Sequence, residues 1–358
     1  MSTSTSKGAD VSETTMTSTT AGKRGRRREV SMADVAAAAG VSGQTVSRVA
    51  NDRSNVDPET RQRVLDAMAS LGYRPNSAAR ALRSGRFRSI GVIMFSLSSY
   101  GNTRTLDALA SVAAASGYSI TLITVQTASQ SDVSGAFLRL REHAVDGIVI
   151  LIEKHRLGEN ELSIPSGLPV VVVDSSADYP YAVVDNDQAQ GARLATEHLL
   201  DLGHETVWHV SGPPESFAAE RRRDAWRAAL EERGCQVPPV QLGDWTAESG
   251  HRIGAALAQD PAVTAVFAAN DQMALGVIRA LHEAGRAVPG RVSVVGFDDM
   301  PESANFWPPL TTVRQRFESV GEEAMSALIA DIEGAGGEHA RTLIPTSLVV
   351  RQSSGPRA

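Results

Sequence analysis

The chain has very little cysteine: Cys235 is the only one in 358 residues. This excludes an intramolecular disulfide and any metal centre built on several thiolates, and it fits a reducing compartment. No run of about 18 apolar residues occurs, so no membrane-spanning helix is expected. The opening stretch, MSTSTSKGADVSETTMTSTTAG, lacks the apolar core of an export signal. Rich in Ser and Thr and without an apolar period, it predicts a disordered tail over 1–29. Sequence signatures of catalysis are also missing. No P-loop occurs, no GxGxxG follows the first strand of the body, and the eight histidines do not fall at HExxH spacing. His198 and His204 read as helix and turn packing, and Cys235 as a loop thiol. These absences predict a cytoplasmic, soluble protein of two or three domains with no enzymatic site, no cofactor and no metal.

Charge, by contrast, is present and unevenly placed. Between Lys23 and Arg88 stand fourteen basic and six acidic side chains, a surplus of eight; in a chain of net charge −6 the remainder therefore carries −14. A basic head on an acidic body is the footprint of a nucleic-acid module joined to a regulatory domain. The run KRGRRR (Lys23–Arg28) either adds phosphate contacts or is a solvated charge run.

The segment Val30–Ala50 reads as two short helices around a tight turn. Ser31 caps the first, with Asp34 completing a capping box, and Gly40 ends it where a positive φ is needed. Ser42 caps the second, and Val41, Val46 and Val49 point inward. A third helix opens at Asp57-Pro58 and closes at Gly72, with Val64, Leu65, Met68 and Leu71 read as one apolar face. This is a helix-turn-helix, whose second helix enters the major groove. There Gln44 can pair with adenine and Arg48 with guanine. A bland three-helix module with a polar face remains the alternative on this stretch alone.

From Ser89 the pattern changes. Apolar runs (SIGVIMF, SITLITV, DGIVILI, PVVVVD, ETVWHV, VTAVFAA, SVVGFD) alternate with amphipathic stretches such as Gln188–Leu202 and Phe217–Arg233. Such alternation predicts parallel sheets covered on both faces, and roughly 260 residues of it predicts two lobes. Ligands of open α/β sheets bind beyond the carboxyl ends of strands. Asp174, Asn270 and Asp298 stand at or just after such ends, Arg222 near a helix start and Trp245 in GDWTAESG. A carboxylate, a guanidinium fork, an amide and an indole face suit a sugar ring. Singly, each has a plain structural role open to it. Asp174 and Asp298 could cap turns, and Asn270 the helix at Asp271. Arg222 could pair with Glu220 or Asp224, and Trp245 could be core.

The runs DVAAAAGVSGQTVSRVAN and VDPETRQRVLDAMASLGYRPNSAARAL, with ANDQMALG, SVVGFDD, PPLTTVRQRF and IPTSLVVR further on, resemble the lac repressor (LacI/GalR) family. The likeness runs from about Val30 to Arg351 and is strongest to the lac repressor branch. It implies an all-α helix-turn-helix head (30–74), a hinge helix and linker (75–88), and a core resembling periplasmic sugar-binding proteins (89–351). The first lobe would comprise about 89–186 and 315–342, the second about 187–312 and 343–351. Crossings would fall near Asn186, Val313–Gln315 and Leu343, and 352–358 would be a C-terminal tail. The resemblance further implies DNA contacts from Ser31, Ser42, Gln44, Thr45, Ser47, Arg48, Asn51 and Asn55. It places Asn76, Ala79 and Leu82 on the hinge, with Leu82 as a minor-groove wedge. It assigns Asp174, Arg222, Trp245, Asn270, Asp298, Gln315 and Phe317 to a sugar pocket, for a β-galactoside or related glycoside. Three positions depart from the branch: Gly43 for tyrosine, Asn186 for phenylalanine and Phe95 for serine, the last with the bulk to fill ligand space. The expected partners are a palindromic double-stranded operator, a small sugar effector and a second copy of the chain. No tetramerising leucine heptad follows Val350. The resemblance implies a transcriptional repressor of carbohydrate-metabolism genes that the sugar releases from its operator; the alternatives are a corepressor-dependent regulator and a sugar-binding protein without a regulatory role.

Overall fold

Serine 31 starts the first helix as expected. Its hydroxyl accepts the Asp34 N–H at 3.3 Å and the Asp34 carboxylate accepts the Ser31 N–H at 2.8 Å. The computed structural model describes residues 30–51, 53, 55–73, 85–95, 97, 99–125, 130–151, 167–173, 181–336 and 341–357. The chain divides into two units, 1–77 and 78–358. In the first unit α1 (Met32–Ala39) ends at Gly40 (φ 64°), α2 (Gly43–Ala50) is capped by Ser42, and α3 (Pro58–Leu71) is capped by Asp57 and ends at Gly72 (φ 63°). Val35, Val46, Val49, Val64, Ala67 and Met68 close the core. Leu65 and Leu71, expected inside, are exposed. Leu65 lies about 100° around the helix from Val64, off the face that Val64, Ala67 and Met68 bury, and Leu71 is the last residue of α3.

The second unit begins as a parallel βα array. Its elements are β1 (Ser89–Met94), α4 (Tyr100–Ala115), β2 (Ser119–Thr124), α5 (Gln130–Glu142), β3 (Gly147–Leu151), β4 (Val170–Val173) and β5 (Ala182–Asn186). The chain then builds a second array: α6 (Gln188–Asp201), β6 (Trp208–Ser211), α7 (Phe217–Glu232), β7 (Gln241–Leu242), α8 (Ala247–Leu257), β8 (Ala265–Ala268), α9 (Asp271–Glu283), β9 (Ser293–Asp298), a 3-10 turn (Pro301–Asn305) and β10 (Thr311–Arg314). It returns as α10 (Phe317–Glu333) and β11 (Arg341–Ile344), and ends with β12 (Ser347–Val349). Among the described residues this gives two six-stranded sheets, ordered β11-β5-β4-β3-β1-β2 and β12-β10-β9-β8-β6-β7. All pairings are parallel except β10 with β12.

Both sheets are covered on both faces, which is why β3 and β4 of the first are nearly continuous Val/Ile runs and β8 and β9 of the second are buried along their whole length. In the first lobe one cluster gathers Ile90, Val92 and Leu109 with Met325 and Leu328 from α10; the opposite face packs Ile93, Ile148 and Phe137. Phe217, at the start of α7, joins that second cluster from across the lobes. Phe95 packs there too, so its bulk goes into the first-lobe core. In the second lobe Trp226 is fully buried and donates its indole N–H to Val207 O at 2.9 Å. Burying such a ring contributes on the order of 3 kcal/mol.

The crossings lie at 187, at 315–316 and at 345–346. The third falls just beyond β11, two residues past the expected Leu343, which is itself a strand residue paired with Asp185. All three are laced through one short stretch. The Arg316 N–H donates to Asn186 Oδ1 at 3.0 Å. The Asp187 N–H donates to Ile344 O at 2.8 Å, and the Thr346 N–H to Gln190 Oε1 at 2.8 Å. Residues 352–357, expected as a tail, are knitted to the second lobe. Ser353 is fully buried, accepts the Thr311 N–H and donates to Val294 O; the Arg357 N–H donates to Leu202 O. His204 serves this seam, with Nδ1 against Thr264 Oγ1 at 3.0 Å and Nε2 near Ser293 and Gly355.

Candidate functional site

In the head, α2 presents Gln44 and Arg48 to solvent, while Val46 and Val49 hold the opposite side inside. Thr45 and Ser47 are half-buried beside them. Ser31 and Ser42 are helix caps, the Ser42 hydroxyl accepting the Thr45 N–H at 3.2 Å. Asn51 closes the C-terminus of α2, its Nδ2 donating to Ser47 O at 2.5 Å. Asn55 is exposed. Asn76, Ala79 and Leu82 lie outside the described residues, as does Asp174.

The two lobes of the second unit enclose a cavity of about 840 Å³. Arg222, Trp245, Asn270, Asp298, Gln315 and Phe317 all line it. Strand ends, helix starts and crossings converge there, so residues far apart in sequence line one cavity. Tyr100, Asn102, Asp244 and Glu302 line it too and were not singled out from the sequence. Tyr100 opens α4 much as Phe317 opens α10, and the two rings meet edge to face at 5.8 Å.

Arg222 sits inside the second lobe wall, nearly fully buried. It pairs with neither Glu220 nor Asp224; those carboxylates take Arg223. Instead its guanidinium lies 3.8 Å over the Phe297 ring and 5.6 Å from that of Trp245. Its Nη1 donates to Ala269 O and stands 3.8 Å from Asp298 Oδ1. Burial pushes the Asp298 carboxyl up to about 6, while the Arg222 charge and the Gln315 amide pull it back down. Asp298 is thus held by one cation and one amide donor, at 2.6 Å from Gln315 Nε2.

Asn270 plays the capping role left open to it: its Oδ1 accepts the Met273 N–H at 2.9 Å. Its Nδ2 donates to Trp245 O at 3.0 Å, so the same side chain fixes the loop that carries the indole. That loop is strained, with Trp245 at φ 72°; Asp298 and Asp299 have φ of 113° and 52°. Non-glycine residues held there cost roughly 1–3 kcal/mol each and cluster at functional sites. Gly212 permits the indole position, because a Cβ there would sit 2.2 Å from the ring. Asp299 is anchored by Arg314 and Arg351 at 2.5 and 2.6 Å.

Among the described residues no group of three His, Cys, Asp or Glu side chains is placed to hold a metal ion, and no helix is long and apolar enough to cross a membrane. A trihelical head with an exposed reading helix, in one chain with two α/β lobes around a cavity that buries charged and aromatic side chains, defines a DNA-binding transcriptional regulator with a small-molecule sensor. Comparison with known proteins agrees. Residues 31–76 match the bacterial regulatory proteins of the lacI family, and 196–354 match the periplasmic binding protein-like domain. The lactose operon repressor of Escherichia coli (strain K12) is 34% identical over 344 residues, covering 92% of this chain and 94% of that protein. The crystal structure of the lac repressor dimer bound to operator and the anti-inducer ONPF matches 92% of this chain and 100% of its own, with a TM-score of 0.81 at 34% identity. A transcriptional regulator CelR–cellobiose complex matches 91% and 100%, with a TM-score of 0.68 at 30% identity. The chain belongs to the lacI family of bacterial regulatory proteins.

Proposed function

We propose that the protein is a transcriptional repressor, acting as a homodimer on a palindromic operator and released by a small neutral glycoside of the β-galactoside type. The observation that carries this reading is the Arg222–Asp298 pair, 3.8 Å apart beside the Trp245 indole in a cavity between two lobes. A guanidinium and a carboxylate match adjacent hydroxyls, and the indole covers an apolar C–H face. Asp244, Asp298 and Glu302 on the walls, beside Arg222, disfavour an anionic ligand. The volume suits a disaccharide, as cellobiose in the related CelR complex does. In the head, exposed Gln44 and Arg48 would read base edges, and Asp174 would complete the sugar contacts. The effector would favour a lobe angle that the DNA-bound dimer cannot adopt.

A gel-shift titration with lactose, cellobiose and isopropyl β-thiogalactoside tests this on a palindromic duplex selected by the protein from a random pool. At least one sugar weakens operator binding tenfold or more, and Asp298→Ala and Arg222→Ala reduce that response below twofold. A panel in which no sugar changes binding removes the glycoside reading; a sugar that tightens binding converts the inducer into a corepressor.

A further inference from the structure

Between the Arg222 guanidinium and the Asp298 carboxylate runs a second, longer path through two buried amides. The Arg222 Nε–H donates to Gln188 Oε1 at 2.8 Å. Gln188 Nε2 donates to Gln315 Oε1 at 3.0 Å. Gln315 Nε2 donates to Asp298 Oδ1 at 2.6 Å. With the 3.8 Å approach of Arg222 to Asp298 the four side chains close a ring. Every donor in it points the same way, from cation to anion, so each amide dipole is aligned by the charges at both ends and strengthens the next bond. All four side chains are nearly fully buried, where a broken link leaves an unsatisfied polar group.

The placement of the two amides matters more than their chemistry alone. Gln188 is the first residue of α6, immediately after the first crossing; Gln315 stands on the second. Gln188 Nε2 also lies 3.4 Å from Asp185 Oδ1 on β5, across the crossing in the first lobe. Asp185 is itself held by Arg221. The relay thus ties side chains on the first two crossings to each other and, through Asp185, to the first lobe, so a change in lobe angle that turned the crossings would strain it. We infer that Gln188 is a positioning residue that locks the first two crossings to the Arg222–Asp298 pair, so that the cavity and the lobe angle are set together. The inference rests on the proposed link between lobe angle and operator binding, but not on the identity of the sugar.

The test uses no sugar. Operator affinity of the full chain is measured by fluorescence anisotropy on the same selected duplex, with thermal midpoints recorded for every variant. Gln188→Glu keeps the acceptor for Arg222 but loses the donor to Gln315, and the relay breaks at the second crossing. It weakens operator binding at least fivefold. Adding Asp298→Asn lets the Gln315 amide turn over, donate to the new carboxylate and accept from the new asparagine, so the relay closes again with its anion moved. The double variant recovers affinity toward that of Asp298→Asn alone, stopping short of it by the carboxylate contact with Asp185 that the second change leaves in place. Gln188→Met, of similar size with neither donor nor acceptor, weakens binding equally and is not restored by Asp298→Asn. A packing role would not respond to the position of a charge. Unchanged affinity in both Gln188 variants, or no recovery in the double variant, overturns the inference. Failure of every sugar in the gel-shift panel would leave this result standing.

Discussion

Asp271 has no solvent exposure at all, yet it is the residue that holds the turn after β9. Ser303 Oγ donates to it at 2.6 Å, Thr312 Oγ1 at 2.5 Å and the Met300 N–H at 2.9 Å. Gly296 makes room for it, since a Cβ there would lie 2.3 Å from Oδ1. Burial, and then the Asp298 charge, push its carboxyl up to about 7, against the pull of those three donors. Folding therefore takes up protons at Asp271 and, around pH 6, at Asp298. With folded values above the unfolded ones, the associated stability is complete below about pH 4 and is lost as pH rises through 6 to 7. Asp271→Asn removes most of this dependence. Wild type should thus gain in Tm relative to Asp271→Asn as pH is lowered from 8 to 5.5, in differential scanning fluorimetry. A flat or reversed difference would mean that the carboxyl stays ionised throughout. None of this was legible beforehand: a carboxylate one residue after a candidate ligand reads as an ordinary first-turn acid, and its three donors come from segments 29 to 41 residues away.

Helices were the most legible elements, because cap chemistry and a 3.6-residue period are local. The stretches Gln188–Leu202 and Phe217–Arg233 emerge as α6 and α7 within a residue. Seven apolar runs emerge as strands, but β5, β7, β10, β11 and β12 carried no strand signal. In β5 the run AVVDN buries Asp185 and Asn186, and in β10 the buried residues include Thr311 and Thr312. These polar side chains are satisfied by other segments, so hydropathy misses the strands at the crossings. In α3 the same limit works at finer grain: the apolar set was visible, but which of its members face α1 and α2 was not. Val64→Ala should lower the protection free energy of the α1–α3 amides by about 2 kcal/mol. Leu65→Glu should change it by less than about 0.5 kcal/mol. Hydrogen exchange read on the head amides distinguishes the two, and equal effects would contradict the burial of Val64.

At the scale of the whole molecule, a sensor and a DNA reader in one chain are bound by linkage. If a sugar lowers operator affinity by a given factor, operator must lower sugar affinity by the same factor. Sugar titration followed by tryptophan fluorescence, with and without saturating operator, should therefore give a Kd ratio equal to that of the gel-shift series. Unequal ratios would show that the two sites are not linked through one pair of states. The head-and-body division was legible from charge and motif, and two lobes from the number of apolar runs. The cavity was less so. Its candidate residues lay scattered from position 174 to 317, and only folding shows six of them lining one cavity.

Each lobe is assembled from stretches separated by the other, which imposes an order on synthesis. The first sheet lacks β11, and its helical cover lacks α10, until residues 317–344 leave the ribosome, after β6 to β10 have already emerged. Throughout that interval β5 is an open sheet margin, with Val184 and its neighbours uncovered where Met325 and Leu328 will later sit. The nascent first lobe is then a sticky half-product, prone to pair with another chain or to occupy a chaperone. Slowing translation between β5 and α10 would lengthen that exposure, and faster elongation there would shorten it.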